Sequence, residues 1–429
     1  MEKKKVIVIG CGDRGRTYTD IMKDEFSDCF EVVAVAEPVA ARRNYMKEKH
    51  NLPDELCFES WEPLLELPKM ADVAIIATMD KDHYGPAMKA LDLGYPLLLE
   101  KPIAPTPEEC VAIAKKAEEK NLFVIVCHVL RYTAFFMALK DIIESGEIGK
   151  VMAIQHIEGV GNVHQSHSFV RGNWGQSAKS SSMLLQKTCH DMDIMAWLAG
   201  EKCTAVQSFG KLSYFCEKNA PAGAPARCID GCPEGDRCPY NAVKLYVEDN
   251  EYSDWFRRTS AKCPNPTREQ MLEVMRTTDY GRCVFRSDND VVDHQVVNLQ
   301  FGDDVFADFS MSAFTKGGRC IRIMGTEGEI NAKMEGNTID VYSFITSTTR
   351  RHDCNTAVSG EMLTGGHGGG DTGIVKALYD TLMGEKCRSV CSVRESCDNH
   401  LIVFAAEHSR HTGTVVSLAE YEASLAEKN

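Results

Sequence analysis

The first 130 residues alternate between short apolar runs and longer amphipathic segments. The apolar runs are rich in β-branched residues, which is typical of buried strands in a parallel sheet. The predicted strands are Val6–Ile9, Phe30–Ala36, Val73–Ala77, Leu97–Leu99 and Phe123–Cys127. The predicted helices are Arg14–Met22, Tyr84–Leu93 and Thr106–Lys120. Repeated strand–helix units predict a doubly wound parallel sheet, with a ligand crevice at the carboxyl ends of its strands.

The pattern changes after His128. A helix is predicted at Thr133–Ser145 and a strand at Val151–Glu158, after which strands follow one another with few helices between them. These later strands are Val292–Gln300, Val305–Met311, Arg319–Gly325 and Thr338–Tyr342. They predict an open, largely antiparallel sheet. Helices return at Thr372–Gly384 and Arg394–Ser409.

We therefore predict an α/β protein of two domains. Residues 1–128 form the first domain, with the parallel sheet, and residues 129–429 form the second, with the antiparallel sheet. The second domain carries a cysteine-rich insertion at about 214–265 and C-terminal helices at about 372–410.

Composition narrows the possible partners. The chain has 429 residues, of which 44% are hydrophobic and 26% charged, as in ordinary globular proteins. A formal charge of −14 disfavours a nucleic-acid partner. No apolar run approaches the roughly 20 residues that span a bilayer, so no membrane partner is expected. Since the start MEKKKVIVIG enters the first strand directly and the 18 cysteines are scattered, we predict a cytoplasmic protein with reduced thiols.

A glycine-rich turn follows the first predicted strand. The segment GCGDRG at 10–15 has G-x-G-x-x-G spacing, which permits a tight turn and a close approach of the backbone to a pyrophosphate. Glu37 ends the second strand, 22 residues after Gly15. A carboxylate there accepts hydrogen bonds from an adenosine ribose and repels a 2′-phosphate. NAD is therefore favoured over NADP, although Arg42 and Arg43 leave NADP open.

Several polar residues come directly after predicted strands. They are Gly10, Glu37, Thr78, Lys101 and His128. Since parallel strands end at the same edge of a sheet, we expect these residues to line one crevice.

Six segments resemble the glucose–fructose oxidoreductase, inositol dehydrogenase and MocA family of nicotinamide-dependent sugar dehydrogenases. They are GCGDRG at 10–15, EKP at 100–102, HVLRY at 128–132, SGEIGKV at 145–151, KTCHDMD at 187–193 and AAEHSRHTGTVVSL at 405–418. The resemblance implies an NAD-binding Rossmann domain at 1–128. It also implies that residues 129–429 form an α/β domain for substrate binding and dimerisation, with an open antiparallel sheet. In that family the sheet often forms a subunit interface, so we expect a homo-oligomer, either a dimer or a tetramer.

The resemblance also implies catalytic residues. The EKP lysine of the family contacts the reacting hydroxyl and the nicotinamide ribose, a role that falls on Lys101; the site histidine matches His190. A solvated Lys101 and a structural His190 are the alternatives. The family usually has an acidic residue four positions before the histidine, where this chain has Gln186. An amide orients a hydroxyl but takes no proton, so we include Lys187 and leave the division of proton transfer open.

Further contacts complete the predicted site. For the cofactor we expect Gly10, Gly12, Asp13, Arg14, Gly15, Glu37, Thr78, His83, Glu100, Lys101 and His128. For the substrate we expect Arg131, His167, Arg171, Trp174, Gln186, Asp191 and His294. The stretch His164–Trp174 suits a polyol, since it offers imidazoles, a guanidinium and an indole, and we interpret it as a substrate loop or a surface connection. His294 is as readily a core histidine.

The insertion contains three closely spaced cysteines. Cys228, Cys232 and Cys238 lie in a loop rich in proline and glycine, which suits a structural zinc site. The same spacing recurs at 387–397 beside a predicted helix, so ordinary thiols are the alternative.

Three functions are consistent with these residues. The first is an NAD-dependent dehydrogenase acting on a ring hydroxyl of a sugar, glycoside or cyclitol, with oxidation of the C3 type. The second is a redox glycosidase with tightly bound NAD, which oxidises a glycoside, eliminates the aglycone and reduces the product again. The third is a non-catalytic NAD-binding sensor.

Overall fold

The first sheet has the topology of a dinucleotide-binding domain. The computed structural model describes residues 3–248, 253–263, 265–354 and 366–426. In these ranges the sheet has six parallel strands in the order β3-β2-β1-β4-β5-β6. They are β1 (Lys4–Ile9), β2 (Phe30–Ala36), β3 (Cys57–Phe58), β4 (Val73–Ile76), β5 (Leu97–Leu99) and β6 (Val124–Val126). The strand order reverses beside β1, and this places the ligand crevice beyond the carboxyl end of that strand.

Helices cover both faces of this sheet. They are α1 (Asp13–Asp24), α2 (Ala40–His50), α3 (Trp61–Glu66), α4 (Tyr84–Asp92) and α5 (Pro107–Glu119). Strand β1 is apolar on both sides because Val6 and Val8 pack into one core while Ile7 and Ile9 pack into the other. Helix α5 begins where Thr106 accepts a hydrogen bond from the Glu109 amide, with proline at the first helical position.

The second sheet is mixed and mostly antiparallel. Within the described ranges it has nine strands in the order β14-β13-β12-β11-β7-β10-β9-β8-β15. They are β7 (Val151–Gly159), β8 (Cys203–Lys211), β9 (His294–Phe301), β10 (Val305–Ser312), β11 (Gly318–Gly325), β12 (Gly328–Lys333), β13 (Thr338–Ser343), β14 (Thr348–Asp353) and β15 (Val416–Ser417). Strands β7 and β10 pair in parallel. The predicted fold class is therefore confirmed.

One face of the second sheet is covered and the other is open. Helices α6 (Ala134–Glu144) and α8 (Met183–Ala199) contribute to the core under the sheet, where Val297 and Phe309 are buried. Alternate residues of the same strands point outward, and among them Phe209 and Phe306 are 55% and 57% exposed.

The stretch predicted as a substrate or surface loop is instead helical. A short turn α7 (Asn162–His164) continues into a wide, π-type helix at Gln165–Arg171. Every residue from Gln165 to Arg171 is buried. The loop prediction was wrong because the segment packs inside the protein, where His167 and Arg171 have hydrogen-bond partners from distant parts of the chain. Local sequence does not reveal those contacts.

The cysteine-rich insertion is partly helical and has a core of its own. Helices α9 (Ala242–Tyr246), α10 (Ser253–Ala261) and α11 (Arg268–Thr277) pack around Phe256, Met271 and Met275.

The C-terminal helices are α12 (Gly370–Leu382), α13 (Val393–Thr412) and α14 (Leu418–Ala426). Ile374 of α12 and Cys397 of α13 belong to the two cores of the first sheet, so the end of the chain packs back on the nucleotide-binding domain. No helix in the described ranges has the length and apolar character needed to cross a membrane.

Candidate active site

The glycine turn leaves backbone amides open at the start of α1. Gly10 has φ +88°, and a Cβ there would meet the Ala77 carbonyl oxygen at 2.5 Å. Gly15 packs against Gly10, since its Cβ would lie 2.0 Å from the Gly10 oxygen. Gly12 caps α1 without any side-chain hydrogen bond, and the nearest atom to its Cβ position is Arg42 Nη1 at 3.7 Å. Free amides at a helix start bind phosphate, so the turn fits a dinucleotide.

Glu37 is fixed beside this turn. Its Oε2 accepts from the Cys11 amide at 2.7 Å and its Oε1 from the Val39 amide at 2.9 Å. Arg43 donates to the Glu37 backbone oxygen at 2.6 Å and pairs with Glu59. Arg43 is thus occupied, whereas Arg42 lies over the glycine turn. Asp13 is exposed at the first position of α1.

Arg14 pairs with protein carboxylates. Its Nε lies 2.8 Å from Glu100 Oε1, and its Nη2 lies 2.6 Å from Asp371 Oδ1 on α12. Glu100 also accepts from the Tyr18 hydroxyl at 2.6 Å and from the Lys101 amide at 2.9 Å. Burial acts to raise the pKa of Glu100, but Arg14 and Lys101 outweigh it and hold that pKa below its ordinary value. An ionised Glu100 therefore positions the turn that carries Lys101.

His83 joins two crevice loops. Its Nδ1 lies 2.8 Å from the Pro102 oxygen and its Nε2 lies 3.2 Å from the Thr78 oxygen. The Thr78 hydroxyl in turn donates to the Asp82 oxygen at 3.0 Å. His83 and Thr78 therefore hold the loop after β4 against the lysine turn.

Lys101 reaches across to the second domain. Its Nζ donates to the backbone carbonyl oxygen of Gln186, on α8, at 3.0 Å. His190 lies one turn further along α8, on the same helix face as Gln186. The His190 ring meets the His128 ring edge to face, with centroids 5.9 Å apart. The structure thus brings Lys101, Gln186, His190 and His128 together at the crevice.

His128 is buried at the end of β6. Its Nε2 lies 2.7 Å from the Ser396 hydroxyl, and its Nδ1 has no hydrogen-bond partner within the described ranges. Burial lowers the pKa of His128, so the ring is neutral near pH 7. Buried polar atoms are normally hydrogen-bonded, so His128 Nδ1 is suited to contact a polar group of a cofactor bound in the crevice.

Asp80 is a site carboxylate that sequence reasoning missed. It begins the short helical turn after β4, and its Oδ2 accepts from the Ser180 hydroxyl at 3.1 Å. We orient the Gln186 side-chain amide so that both of its polar atoms have partners. In this orientation its nitrogen donates to the same Asp80 oxygen at 3.0 Å, and its oxygen accepts from the Trp174 indole N–H. Burial raises the pKa of Asp80, with Lys101 and His83 acting in the opposite direction. The only sequence signal was its place in the loop after β4.

Arg131 is held in a buried ion pair. It bonds Asp193 through Nε at 2.7 Å and Nη2 at 2.8 Å, and Nη2 also reaches Glu395 at 2.8 Å. The partners of the Arg131 guanidinium, which was predicted to contact the substrate, are therefore the carboxylates of Asp193 and Glu395.

Asp191 and Lys187 join a second buried cluster under α8. Asp191 lies 2.7 Å from both His156 Nε2 and Arg319 Nε, and Lys187 lies 3.1 Å from Glu158. Burial acts to raise the pKa of Asp191, but Arg319 and His156 hold it below its usual range. The cluster ties α8 to β7 and β11.

His167 belongs to the core of the insertion. Its ring stacks on Phe256 with centroids 4.1 Å apart, and its nitrogens contact the hydroxyls of Tyr246 at 2.8 Å and Thr259 at 3.1 Å. Burial lowers the pKa of His167 to about 3. The ring is therefore neutral at physiological pH.

Two other predicted substrate contacts also have protein partners. Arg171 donates to the carbonyl oxygens of Arg282 and Tyr240. His294 is half-exposed at the start of β9 and contacts Asp293 at 2.7 Å.

Turn, carboxylate and lysine define the class. The crevice at the carboxyl ends of the parallel strands has free backbone amides, a fixed Glu37 carboxylate and the Lys101 ammonium. These groups are typical of an oxidoreductase that binds a nicotinamide dinucleotide. Residues 4–128 match the oxidoreductase family with an NAD-binding Rossmann fold, and residues 140–418 match its C-terminal alpha/beta domain. The chain therefore belongs to the glucose–fructose oxidoreductase, inositol dehydrogenase and MocA family and is an NAD-binding oxidoreductase.

Individual relatives are distant. The chain is 24% identical over 393 residues to "Putative oxidoreductase YteT" of Bacillus subtilis (strain 168), covering 87% of this chain and 88% of that protein. It is 26% identical over 204 residues to an inositol 2-dehydrogenase of Corynebacterium glutamicum (strain R), covering 47% of this chain and 56% of the relative. A levoglucosan dehydrogenase solved with NADH and L-sorbose matches with TM-score 0.70 and 18% identity over 97% of this chain and 99% of that one, which shows a shared fold.

Proposed function

We propose that this protein is a dehydrogenase that uses NAD to oxidise a ring hydroxyl of a sugar, glycoside or cyclitol. The observation that carries the proposal is the Lys101–Gln186 contact, because it sets an ammonium from one domain one helical turn from His190 of the other. The names of two relatives, an inositol 2-dehydrogenase and a levoglucosan dehydrogenase, support a polyol or sugar substrate.

The side chains divide the remaining work. A bound NAD supplies the acceptor for the hydride. Lys101 donates hydrogen bonds to the substrate oxygen and stabilises the charge that develops as the hydroxyl proton leaves. His190 accepts that proton, since an imidazole exchanges protons near neutral pH. Asp80 supplies the carboxylate that Gln186 lacks and orients the substrate through Gln186 and Trp174.

A substrate panel tests the proposal. The purified protein is incubated with NAD⁺ and a series of sugars, glycosides and inositols, and reduced nicotinamide is followed by its absorbance. We expect one compound class to give NADH, and Lys101→Met to lower that rate by about 100-fold or more. Release of an aglycone with no net NADH would favour the redox glycosidase. Tight NAD binding with no turnover of any compound would favour the sensor.

Glu37 supports NAD as the cofactor rather than NADP, and the cysteines support a reducing cellular location. Glu37 presents a carboxylate beside the glycine turn, and a 2′-phosphate would be repelled there. All 18 cysteines, each within the described ranges, are free thiols, which is usual in the cytoplasm.

We also propose that the open face of the second sheet joins copies of this chain. Ile157, Phe209, Val296 and Phe306 are each more than 40% exposed on that face, and large apolar side chains exposed on one surface favour association. Light scattering of the native protein should give a dimer or tetramer, and Phe306→Glu should shift it to smaller species. Val39→Glu, at an exposed site of the first domain, is the control. A wild-type monomer would contradict the proposal.

A further inference from the structure

Four cysteines of the insertion line one cavity. Cys228, Cys232 and Cys238 come from the proline- and glycine-rich segment, and Cys283 comes from the segment that follows α11. The cavity has a volume of about 20 Å³. The sequence predicted the first three as metal ligands, and the fold adds a fourth thiol from 45 residues further along the chain.

The backbone holds the two segments side by side. Arg227 and Arg282 form an isolated antiparallel bridge, and the Cys283 amide donates to the Ala226 oxygen at 2.9 Å. The bridge therefore holds the segments that carry Cys228 and Cys283 side by side, with the two cysteines diagonally opposed across it. This is the arrangement in which a single ion links the start and the end of the insertion.

A buried cation lies beside the same cavity. Arg171 is 3% exposed and its Nη2 lies 3.7 Å from the Cys228 sulfur. Its other hydrogen bonds go to the neutral carbonyl groups of Arg282 and Tyr240. No ion pair in the described part of the chain includes Arg171. A buried guanidinium is costly without an anion, and a metal held by four thiolates has a net negative charge.

We propose that Cys228, Cys232, Cys238 and Cys283 bind one Zn²⁺ ion as thiolates, with Arg171 compensating their charge. Four thiolates in a closed tetrahedral set are typical of structural zinc. Within the described ranges no three metal-binding side chains stand at ligand spacing. The proposal therefore requires the four sulfurs to move inward by side-chain rotation when the ion binds. Zinc then fastens the insertion and the helix that carries Arg171.

Metal analysis of the full-length protein tests the site. Protein purified without chelator should contain about one zinc per chain by mass spectrometry of metals. Cys238→Ser and Cys283→Ser should each lose most of it. Cys216→Ser is the matched control, because that thiol lies in the same insertion but donates to the Ser213 oxygen. Iron with the visible absorption of an iron–sulfur cluster would overturn the assignment to zinc.

A second measurement does not depend on variants that fold. Zinc is removed from the wild-type protein with a chelator, and Co²⁺ is added under reducing conditions. Strong sulfur-to-cobalt charge-transfer bands are expected, and their absence would overturn the proposal. Arg171→Met should weaken zinc binding by about 10- to 100-fold in competition with a chromophoric chelator, since it removes a charge beside the ligands. An unchanged affinity would exclude the proposed role of Arg171.

Discussion

Asp80 accepts a hydrogen bond from the side-chain amide of Gln186 at 3.0 Å, across the boundary between the two sheets. The family resemblance places an acidic residue at position 186, where this chain has an amide. The structure sets a carboxylate from another loop against that amide. Burial raises the pKa of Asp80 above its ordinary value, with Lys101 and His83 acting against the rise.

Asp80→Asn tests whether the charge of this carboxylate is needed to orient the substrate through Gln186. Asparagine keeps an oxygen for Gln186 but binds no proton. We expect kcat on the substrate found in the panel to fall by about 100-fold, with NADH binding unchanged. An ionised carboxylate accepts the Gln186 hydrogen bond more strongly than a protonated one. The wild-type rate should therefore rise as pH rises through the elevated pKa of Asp80, and the rate of the variant should not show that rise.

Asp82→Asn is the control for Asp80. Asp82 is exposed in the same helical turn and should tolerate the change with little loss. Equal rates for wild type and Asp80→Asn across the pH range would remove Asp80 from the mechanism.

Arg14 should stabilise the native state by neutralising two buried carboxylates. Arg14→Met leaves Glu100 and Asp371 without their shared cation, and breaking a buried ion pair in this way costs about 3–5 kcal/mol. The free energy of unfolding in urea measures the loss. Arg16→Met removes an exposed pair with Asp20 on the same helix and should cost below about 1 kcal/mol. Similar losses of unfolding free energy in Arg14→Met and Arg16→Met would show that burying the Arg14 ion pairs does not increase their contribution to stability.

Glu37 should set the preference for NADH over NADPH. In fluorescence titrations the wild-type protein should bind NADH more tightly, and Glu37→Gln should narrow the difference by about tenfold, or 1.4 kcal/mol, because it removes the charge that repels a 2′-phosphate. Glu59→Gln, at a carboxylate that is 83% exposed and pairs with Arg43, is the control. Tighter binding of NADPH by the wild type would reverse the assignment and point to Arg42.

The predicted elements of the first domain succeeded because their signals are local. A run such as Phe30–Ala36 is apolar at almost every position, and the strand has those same bounds in the structure. The glycine turn and Lys101 were found by their places after strands. Parallel strands end at a common edge, so position along the chain was enough to group these residues.

The missed features depend on contacts between distant parts of the chain. Asp80 contacts Gln186, which lies about a hundred residues later in the chain. Arg131 was predicted to bind substrate, and in the structure its guanidinium donates to Asp193 and Glu395. Cysteine spacing shows the same limit. Cys391 and Cys397 repeat the spacing of the insertion, yet Cys391 lies against Asp193 while Cys397 is in a core of the first sheet. Spacing alone therefore does not predict convergence.

His400 should make stability depend on pH. Its Nε2 accepts from the Ile103 amide at 3.1 Å and its Nδ1 donates to the Ser396 oxygen at 2.8 Å, so the neutral ring ties α13 to the lysine turn. Burial lowers the pKa of His400 to about 3, with His128 and Lys101 acting in the same direction and Ser396 and Asp193 opposing them. Its pKa in the unfolded chain is about 6.5.

The sign of this effect follows from the depressed pKa. Between about pH 6.5 and 3 the unfolded chain binds a proton that the folded protein does not, so stability falls as pH drops below about 6.5. At pH 5 the low pKa of His400 reduces the free energy of unfolding by about 2 kcal/mol. In His400→Gln, an amide oxygen replaces Nε2 and does not titrate. The difference in unfolding free energy between pH 7 and pH 5 should therefore shrink by about 2 kcal/mol. His411→Gln, at an exposed position, should leave that difference unchanged, and an equal difference in wild type and His400→Gln would mean that this ring is already protonated in the folded protein at pH 5.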